Sequence, residues 1–174
     1  AFLYKKANIK LINNIKKLNL ISKGNIIEYP TKAIEYLEII SKKIKAHEGG
    51  LLAFDYGYEQ NNNFDTLQSV KKHKYYNVLS EPGNADITSH INYELFRNIL
   101  EKNDLKIEKI VTQSEFLQKL GIIERANIIS KRKNFKEKAD MYYRVKRLIH
   151  TNEMGKIFKV MFAKNKKNKF SLGF

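Results

Sequence analysis

A chain of 174 residues with 43% hydrophobic residues is long enough for one ordinary domain with a buried core. It contains no cysteine, which excludes disulfide bonds, zinc ribbons and thiol catalysis. The net charge of +15 is typical of proteins that bind an anionic partner, but the lysines are spread along the whole chain. The dense basic run at residues 164–169 has no interleaved aromatic residue for base stacking, so we expect no specific nucleic-acid binding.

Membrane and metal partners are not expected either. No apolar run approaches the roughly 20 residues of a membrane span, and the opening of the chain interleaves lysines with apolar residues, unlike a signal peptide. The four histidines lack ligand spacing, apart from Asp86 and His90 at positions i and i+4. These patterns predict a cytoplasmic protein with no membrane partner and no metal site.

The first predicted elements are a short strand, a helix and a second strand. Residues 25–29 are typical of a strand, and Pro30 suits the first position of a helix. Apolar residues then recur at helical spacing until the pair Gly49-Gly50 interrupts the pattern. This stripe consists of Ile34, Leu37, Ile40 or Ser41, and Ile44. A strand at residues 51–54 is expected to follow.

Four residues with polar or small side chains stand where this second strand is expected to end: Asp55, Tyr56, Gly57 and Tyr58. In an open α/β sheet, ligands bind at the carboxyl ends of the strands, so this cluster is a candidate site. The alternative is that Asp55 only caps the turn.

Residues 58–80 are polar, rich in asparagine and too long for a simple connector. Together with the turn-forming stretch that follows, residues 58–92 are predicted to be a functional loop insertion. His73 and His90 lie in these loops. Each could act as a general base or be an ordinary surface residue.

A fourth element, a helix near residues 93–101, is expected after a bend at Pro82-Gly83. Either Asp86 or Asn92 could cap it. Its apolar side consists of Leu95, Phe96, Ile99 and Leu100.

The last part of the chain predicts a pair of strands separated by helices. A strand is expected at residues 105–111, followed by a helix that begins with a capping box of Thr112 and Glu115 and ends at Gly121. A further helix presents an inner stripe of Met141, Val145 and Leu148, and the final strand is expected at residues 156–163. The predicted class is therefore α/β with a strand pair at the end.

Six separate motifs, in the same order, carry a family resemblance. They are FDYGY at residues 54–58, TL at 66–67, His73, PGNADITSHINY at 82–93, TQSEFLQKLGI at 112–122 and MGKIFKV at 154–160. From residue 25 to its end, the chain closely resembles the MidA family of S-adenosylmethionine-dependent methyltransferases. The mitochondrial members of that family assist the assembly of respiratory complex I by methylating an arginine.

The resemblance implies a class I methyltransferase fold, a doubly wound sheet whose cofactor lies on a glycine-rich turn after the first strand. Neither that turn nor the family's NEFLDALP-like segment occurs in this sequence. The expectation is therefore a single partial domain over residues 1–174, the C-terminal half of a Rossmann-like fold. It would contain helices, one parallel strand at 51–55 and a terminal antiparallel pair at 106–111 and 156–163.

The resemblance also implies roles for the candidate site residues. Asp55 and His90 would be catalytic, with Asp55 accepting hydrogen bonds from a guanidinium. The substrate-binding residues would be Tyr56, Gly57, Tyr58, His73, Asp86 and Thr88. Sheet-end packing is the alternative for Tyr56. The cofactor of the complete enzyme would be S-adenosylmethionine, and the residues of this chain that would contact it stay unassigned.

Two functions of different classes are consistent with these patterns. The first is the substrate-side half of an S-adenosylmethionine-dependent protein methyltransferase acting on arginine, whose partners are a protein substrate and an N-terminal cofactor-binding half. The second is a non-catalytic remnant or protein-binding module of a split or decayed methyltransferase gene. An open strand edge is expected in either case, and a homo-oligomer could cover it.

Overall fold

The structure is a computed structural model that describes residues 3–20, 26–59 and 65–174. The helices of these residues are α1 (Ile9–Lys17), α2 (Thr31–His47), α3 (Tyr93–Lys102), α4 (Gln113–Lys119), α5 (Ile122–Ser130), α6 (Phe135–Ile149) and α7 (Met154–Ile157). The strands are β1 (Gly50–Tyr58), β2 (Gln68–Lys71), β3 (Lys74–Tyr76), β4 (Asp86–Thr88), β5 (Ile91–Asn92), β6 (Lys106–Ile107), β7 (Val111–Thr112) and β8 (Phe158–Lys164).

The main sheet is mixed, which confirms the predicted α/β class. Its strand order is β5-β1-β8-β6, and β7 also pairs with β8. β1 and β8 are antiparallel, with a register that runs from Gly50 opposite Lys164 to Tyr56 opposite Phe158. β5 pairs in parallel with the last two residues of β1. Among the described residues, the rest of that edge of β1 has no strand partner.

Helices cover the main sheet on both faces, and β8 contributes side chains to both. Met161 and Ala163 of β8 face α2 and α3 in the larger core, whereas Val160 packs with Phe116 of α4 on the other face. The buried residues of α2 are Ile34, Leu37, Ser41 and Ile44, and those of α3 include Leu95, Ile99 and Leu100. The predicted stripes of α2 and α3 are therefore confirmed as core, with Phe96 only partly buried, whereas no residue of the stripe predicted at Met141, Val145 and Leu148 is fully buried.

β1 is longer than the predicted strand at 51–54, and the expectation that it ends at Phe54 is wrong. Asp55, Tyr56, Gly57 and Tyr58 all lie within the strand. The reason is that partners outside the local sequence supply the hydrogen bonds, since β8 pairs as far as Tyr56 and β5 pairs with the last two residues.

The strand predicted at 105–111 is divided into β6 and β7. Ile107 lies opposite Ala163, and Val111 lies opposite Val160. Four steps along one chain thus match three along the other, which places an extra residue between β6 and β7 as in a β-bulge. The amide of Glu108 still donates to the carbonyl of Phe162 at 2.9 Å.

The region predicted to be a loop insertion contains a second, three-stranded sheet with the order β3-β2-β4. Lys72 and His73 connect β2 to β3, and both have positive φ angles, 49° and 62°. Left-handed conformations at both positions are typical of a tight type I′ hairpin turn. Asp86 lies in β4 rather than at a helix start, whereas the side chain of Asn92 caps α3 by accepting the amide of Leu95 at 2.9 Å.

Local signals at other helix ends were predicted correctly. Thr112 and Glu115 form the expected capping box at the start of α4, and Gly121 adopts the left-handed conformation, with φ 78°, just after that helix. Three helices were not predicted, α1, α5 and α7, and α7 occupies the start of the final strand expected at 156–163. Asn8 caps α1 through its side chain. Residues 26–29, the described part of the predicted first strand, form no strand, and residue 25 lies outside the described residues.

No helix in the described parts of the chain combines the length and the apolar character that crossing a membrane requires.

Candidate functional site

A pocket of about 220 Å³ lies where the start of α2, the end of β1, β5 and α3 meet. It is lined by Glu28, Pro30, Ala33, Tyr58, Ser89, His90, Ile91, Asn92 and Phe96. Two of the predicted site residues, Tyr58 and His90, are therefore brought together here. The pocket combines one carboxylate, an imidazole and two aromatic rings in a small volume, a composition typical of ligand sites.

Glu28 connects this pocket to the segment that precedes β2. Its carboxylate accepts a hydrogen bond from the amide of Thr66 at 2.8 Å. The Thr66 hydroxyl donates a second hydrogen bond and lies 2.8 and 2.7 Å from the two carboxylate oxygens of Glu28. The Thr66 hydroxyl in turn accepts the amide of His90 at 2.9 Å. Three segments that are distant in sequence are thereby fixed around one carboxylate.

Tyr58 lies on the wall of the same pocket. Its phenol has a raised pKa, mainly because it is partly buried and secondly because the negative charge of Glu28 opposes ionisation. A hydrogen bond with the side chain of Asn92 acts in the opposite direction. Glu28 and Tyr58 both line this pocket.

Asp55 occupies a different position from the one expected. One of its carboxylate oxygens accepts its neighbour's amide, that of Tyr56, at 2.8 Å. Successive strand residues project to opposite faces, so Asp55 and Tyr56 do not line one side of a common pocket. On the face of Asp55, Leu51 and Ala53 pack against the core formed with α2 and α3.

Tyr56 packs between two rings at the sheet end. Its ring contacts that of His90 at 5.4 Å and that of Phe158 at 5.6 Å between centroids, both edge to face. Gly57 permits a close backbone approach, but the approaching group is the chain itself. A Cβ at Gly57 would overlap the carbonyl of Ile91 and lie 2.9 Å from the Tyr93 ring.

The three other predicted substrate-binding residues belong to the small sheet and do not line the pocket. His73 is exposed in the β2–β3 turn, and Asp86 is exposed in β4. Thr88 lies opposite Gln68 in that sheet. Its hydroxyl oxygen is buried and has no hydrogen-bond partner among the described residues.

Glu28 was missed as a site residue, although Thr66 belongs to the TL motif. Nothing in the local pattern around Glu28 marks it, because its partner Thr66 is 38 residues away. Only the packing of the segment before β2 against the start of α2 reveals the pair. Among the described residues, no group of three or more histidine, aspartate and glutamate side chains could hold a metal ion.

Sequence comparison identifies the family. Residues 3–111 match the profile of a family described as putative S-adenosyl-L-methionine-dependent methyltransferases. Because this match covers more than half of the chain, the protein belongs to that family, and the resemblance seen in the sequence motifs is confirmed.

Curated relatives have a more specific name. The chain is 26% identical over 153 residues to the mitochondrial protein arginine methyltransferase NDUFAF7 of Xenopus tropicalis, covering 87% of this chain and 35% of that protein. It is 29% identical over 98 residues to the human (Homo sapiens) protein of the same name, covering 56% of this chain and 22% of the relative. The chain thus spans about a third or less of these relatives.

Two solved structures from Burkholderia thailandensis share the fold. A COG1565 superfamily protein superposes with a TM-score of 0.80 and 18% identity, over 99% of this chain and 48% of the other. A COG1565 superfamily member bound to S-adenosyl-homocysteine has a TM-score of 0.72 and 19% identity, over 96% of this chain and 44% of the other. The arrangement of helices and mixed sheet is therefore that of these proteins.

The residues of this chain do not fit S-adenosylmethionine as a complete site. The sequence has no G-x-G turn to approach the cofactor.

Proposed function

We propose that this chain forms the substrate-side part of an S-adenosylmethionine-dependent protein methyltransferase that acts on arginine. The observation that carries the proposal is membership of the methyltransferase family, together with the name of the curated relatives. The pocket at Glu28 supports it, because a carboxylate beside aromatic rings suits a cationic side chain of a protein substrate.

His90 and Asp55 are the proposed catalytic residues. His90 lines the pocket and is the proposed general base, the group that accepts a proton from a nucleophilic nitrogen. Asp55 lies two residues before the parallel pairing with β5 and contributes negative charge near the same sheet end. Tyr56 and Gly57 shape the strand end, while His73, Asp86 and Thr88 belong to a small sheet that is proposed to contact the protein substrate.

The proposed partner that holds the cofactor is a separate half, provided in cis or in trans. The open edge of β1 supports this proposal. Among the described residues, β1 is paired along one side from Gly50 to Tyr56, whereas its other side is paired only at Gly57 and Tyr58. A strand of the cofactor-binding half would complete the sheet there. A second copy of the chain is the other candidate for that edge.

The alternative function is a non-catalytic protein-binding module that retains the fold. The edge of β1 that has no strand partner among the described residues favours it as a second candidate, because such an edge can pair with a strand of another protein. The two functions differ in one respect, because only the enzyme produces a methylated product when the cofactor-binding half is present.

The test is methyl transfer with labelled S-adenosylmethionine. The chain is co-expressed with a cofactor-binding half and incubated with a cell extract, and the labelled proteins are hydrolysed to amino acids. Label recovered as methylarginine supports the proposal, and its absence when either half is omitted is the control. Label in methyllysine, or no label above the control, contradicts it.

A further inference from the structure

Glu28 has more hydrogen-bond capacity than Thr66 uses. A carboxylate offers about four lone-pair sites, whereas Thr66 supplies two hydrogens, one from its amide and one from its hydroxyl. Because the hydroxyl accepts the amide of His90, its own hydrogen is directed toward the carboxylate. Thr66 therefore fixes the orientation of Glu28 and, within the described parts of the chain, leaves acceptor sites on it for a ligand.

The residues that line the pocket favour a cationic ligand. None of the described residues that line it is lysine or arginine. The negative charge of Glu28 instead acts on the phenol of Tyr58, whose pKa is raised first by burial and second by that charge. A partly buried carboxylate gains most from a ligand that brings a positive charge and donates hydrogen bonds.

The size and shape of the pocket favour a guanidinium over an ammonium group. Its 220 Å³ is about seven times the volume that one water molecule occupies in the liquid, enough for a guanidinium and its methylene chain. Tyr58 and Phe96 provide aromatic surfaces on which a planar guanidinium stacks, whereas an ammonium is compact and more strongly hydrated. Pro30 and Ala33 offer apolar contacts for the methylenes.

We propose that this pocket binds the guanidinium of an arginine side chain, with Glu28 as the acceptor. The inference rests on the proposed function, since it names the group that recognises the arginine of the protein substrate. It makes Glu28, which lines the pocket, the guanidinium acceptor in place of Asp55, which is not among the residues that line it. Thr66 is a positioning residue in this scheme, because it holds the carboxylate without contacting the ligand.

The test is a binding measurement that needs no cofactor. Acetyl-Gly-Arg-Gly-amide is titrated into the isotope-labelled protein and followed by NMR chemical shifts. We expect saturable shifts at residues around the pocket. The same peptide with citrulline, which has the shape of arginine but no charge, is expected to bind at least about tenfold more weakly. The lysine peptide is expected to fall between the two.

Protein variants then identify the acceptor. Glu28→Gln is expected to weaken binding of the arginine peptide by about tenfold or more. Glu38→Gln, the same exchange on the exposed side of α2, is the control and should leave binding unchanged. Thr66→Val removes the hydrogen bond from the hydroxyl to Glu28 but keeps the charge of Glu28. The affinity for the arginine peptide is therefore expected to fall by less than about threefold. If Glu28→Gln fails to fold, the comparison of arginine and citrulline peptides in the unaltered protein still tests whether the pocket recognises the charge of arginine.

Three results overturn the inference: equal binding of the arginine and citrulline peptides, shifts that do not saturate or lie away from the pocket, or full affinity in a folded Glu28→Gln protein. These failures are distinct from failure of the proposed function. Glu28-dependent binding without methylarginine formation would support the proposed arginine site and contradict the proposed enzymatic function. Methylarginine formation that is unaffected by Glu28→Gln would support the proposed enzymatic function and contradict the proposed arginine site.

Discussion

The hydroxyl of Tyr93 lies 3.0 Å from the main-chain carbonyl of Asp55 and donates a hydrogen bond to it. The same hydroxyl lies 3.2 Å from the carbonyl of Lys159 on the neighbouring strand β8. Tyr93 is the first residue of α3 and is fully buried. One side chain thus ties the helix to both central strands next to the candidate site, and it fixes the main chain of Asp55.

Replacing Tyr93 with phenylalanine is expected to lower the free energy of unfolding by about 1 kcal/mol or somewhat more, because a buried hydrogen bond is lost while the ring still fills its space. Urea unfolding measures this change. Burial raises the pKa of the Tyr93 phenol well above its usual range, so its contribution is present at neutral pH and decreases as the pH rises above about 10. Equal alkaline sensitivity of both proteins would contradict this assignment.

The buried ammonium of Lys164 predicts a large effect at Glu108. The Lys164 side chain is only 2% exposed, and its nitrogen lies 2.6 Å from a carboxylate oxygen of Glu108. Glu108→Gln leaves this charge buried without its counter-ion, which is expected to cost about 3–5 kcal/mol in urea unfolding at neutral pH. Glu38→Gln is the control and should change little.

The same pair predicts a pH dependence. The hydrogen bond and charge of Lys164 hold the pKa of Glu108 below its usual range, against the opposing effect of partial burial. A lowered folded-state pKa gives stability that is present above about pH 4.5 and is lost as the pH falls further. The difference in the free energy of unfolding between the unaltered protein and Glu108→Gln should therefore decrease as the pH falls below about 4.5. A constant gap down to about pH 3 would show that the ion pair is not its source.

Gly57 is expected to tolerate no side chain. A Cβ there would overlap the carbonyl of Ile91 and crowd the ring of Tyr93, so Gly57→Ala must separate β5 from β1 and should cost about 1–3 kcal/mol or more. Gly49 has open space at the equivalent point, and Gly49→Ala should stay within about 0.5 kcal/mol of the parent. Thermal unfolding of the two variants side by side checks this, and equal melting would contradict the close β1–β5 approach.

Asp55→Asn separates charge from local structure. The amide oxygen of asparagine can still accept the Tyr56 amide, so thermal unfolding should be unchanged. If the charge acts on the substrate, methyl transfer by the enzyme completed with its cofactor-binding half should fall by about tenfold or more. Unchanged transfer with unchanged melting would leave Asp55 a purely local acceptor and remove it from the catalytic residues.

Features encoded by neighbouring residues could be predicted from the sequence. The apolar stripe of α2, the capping box of Thr112 and Glu115, and the glycine after α4 each depend on residues within one or two helical turns. The extension of β1 and the bulge between β6 and β7 could not, because both depend on pairing with β8, which is distant in sequence.

The candidate site was predicted only in part for the same reason. The polar residues at the end of β1 were apparent, but strand alternation separates Asp55 from Tyr56, a consequence of the strand continuing past Phe54. Glu28 entered the site only through its contact with Thr66, which the intervening chain brings from 38 residues away. Tertiary contacts, rather than local pattern, select the residues that line the pocket.

We propose that this chain supplies the substrate side of the enzyme and that a different half holds the cofactor. Isothermal titration of S-adenosylhomocysteine into the purified, folded chain tests it most directly. The account predicts no saturable binding by the chain alone and clear binding once the cofactor-binding half is added. Saturable micromolar binding to the chain alone would contradict it.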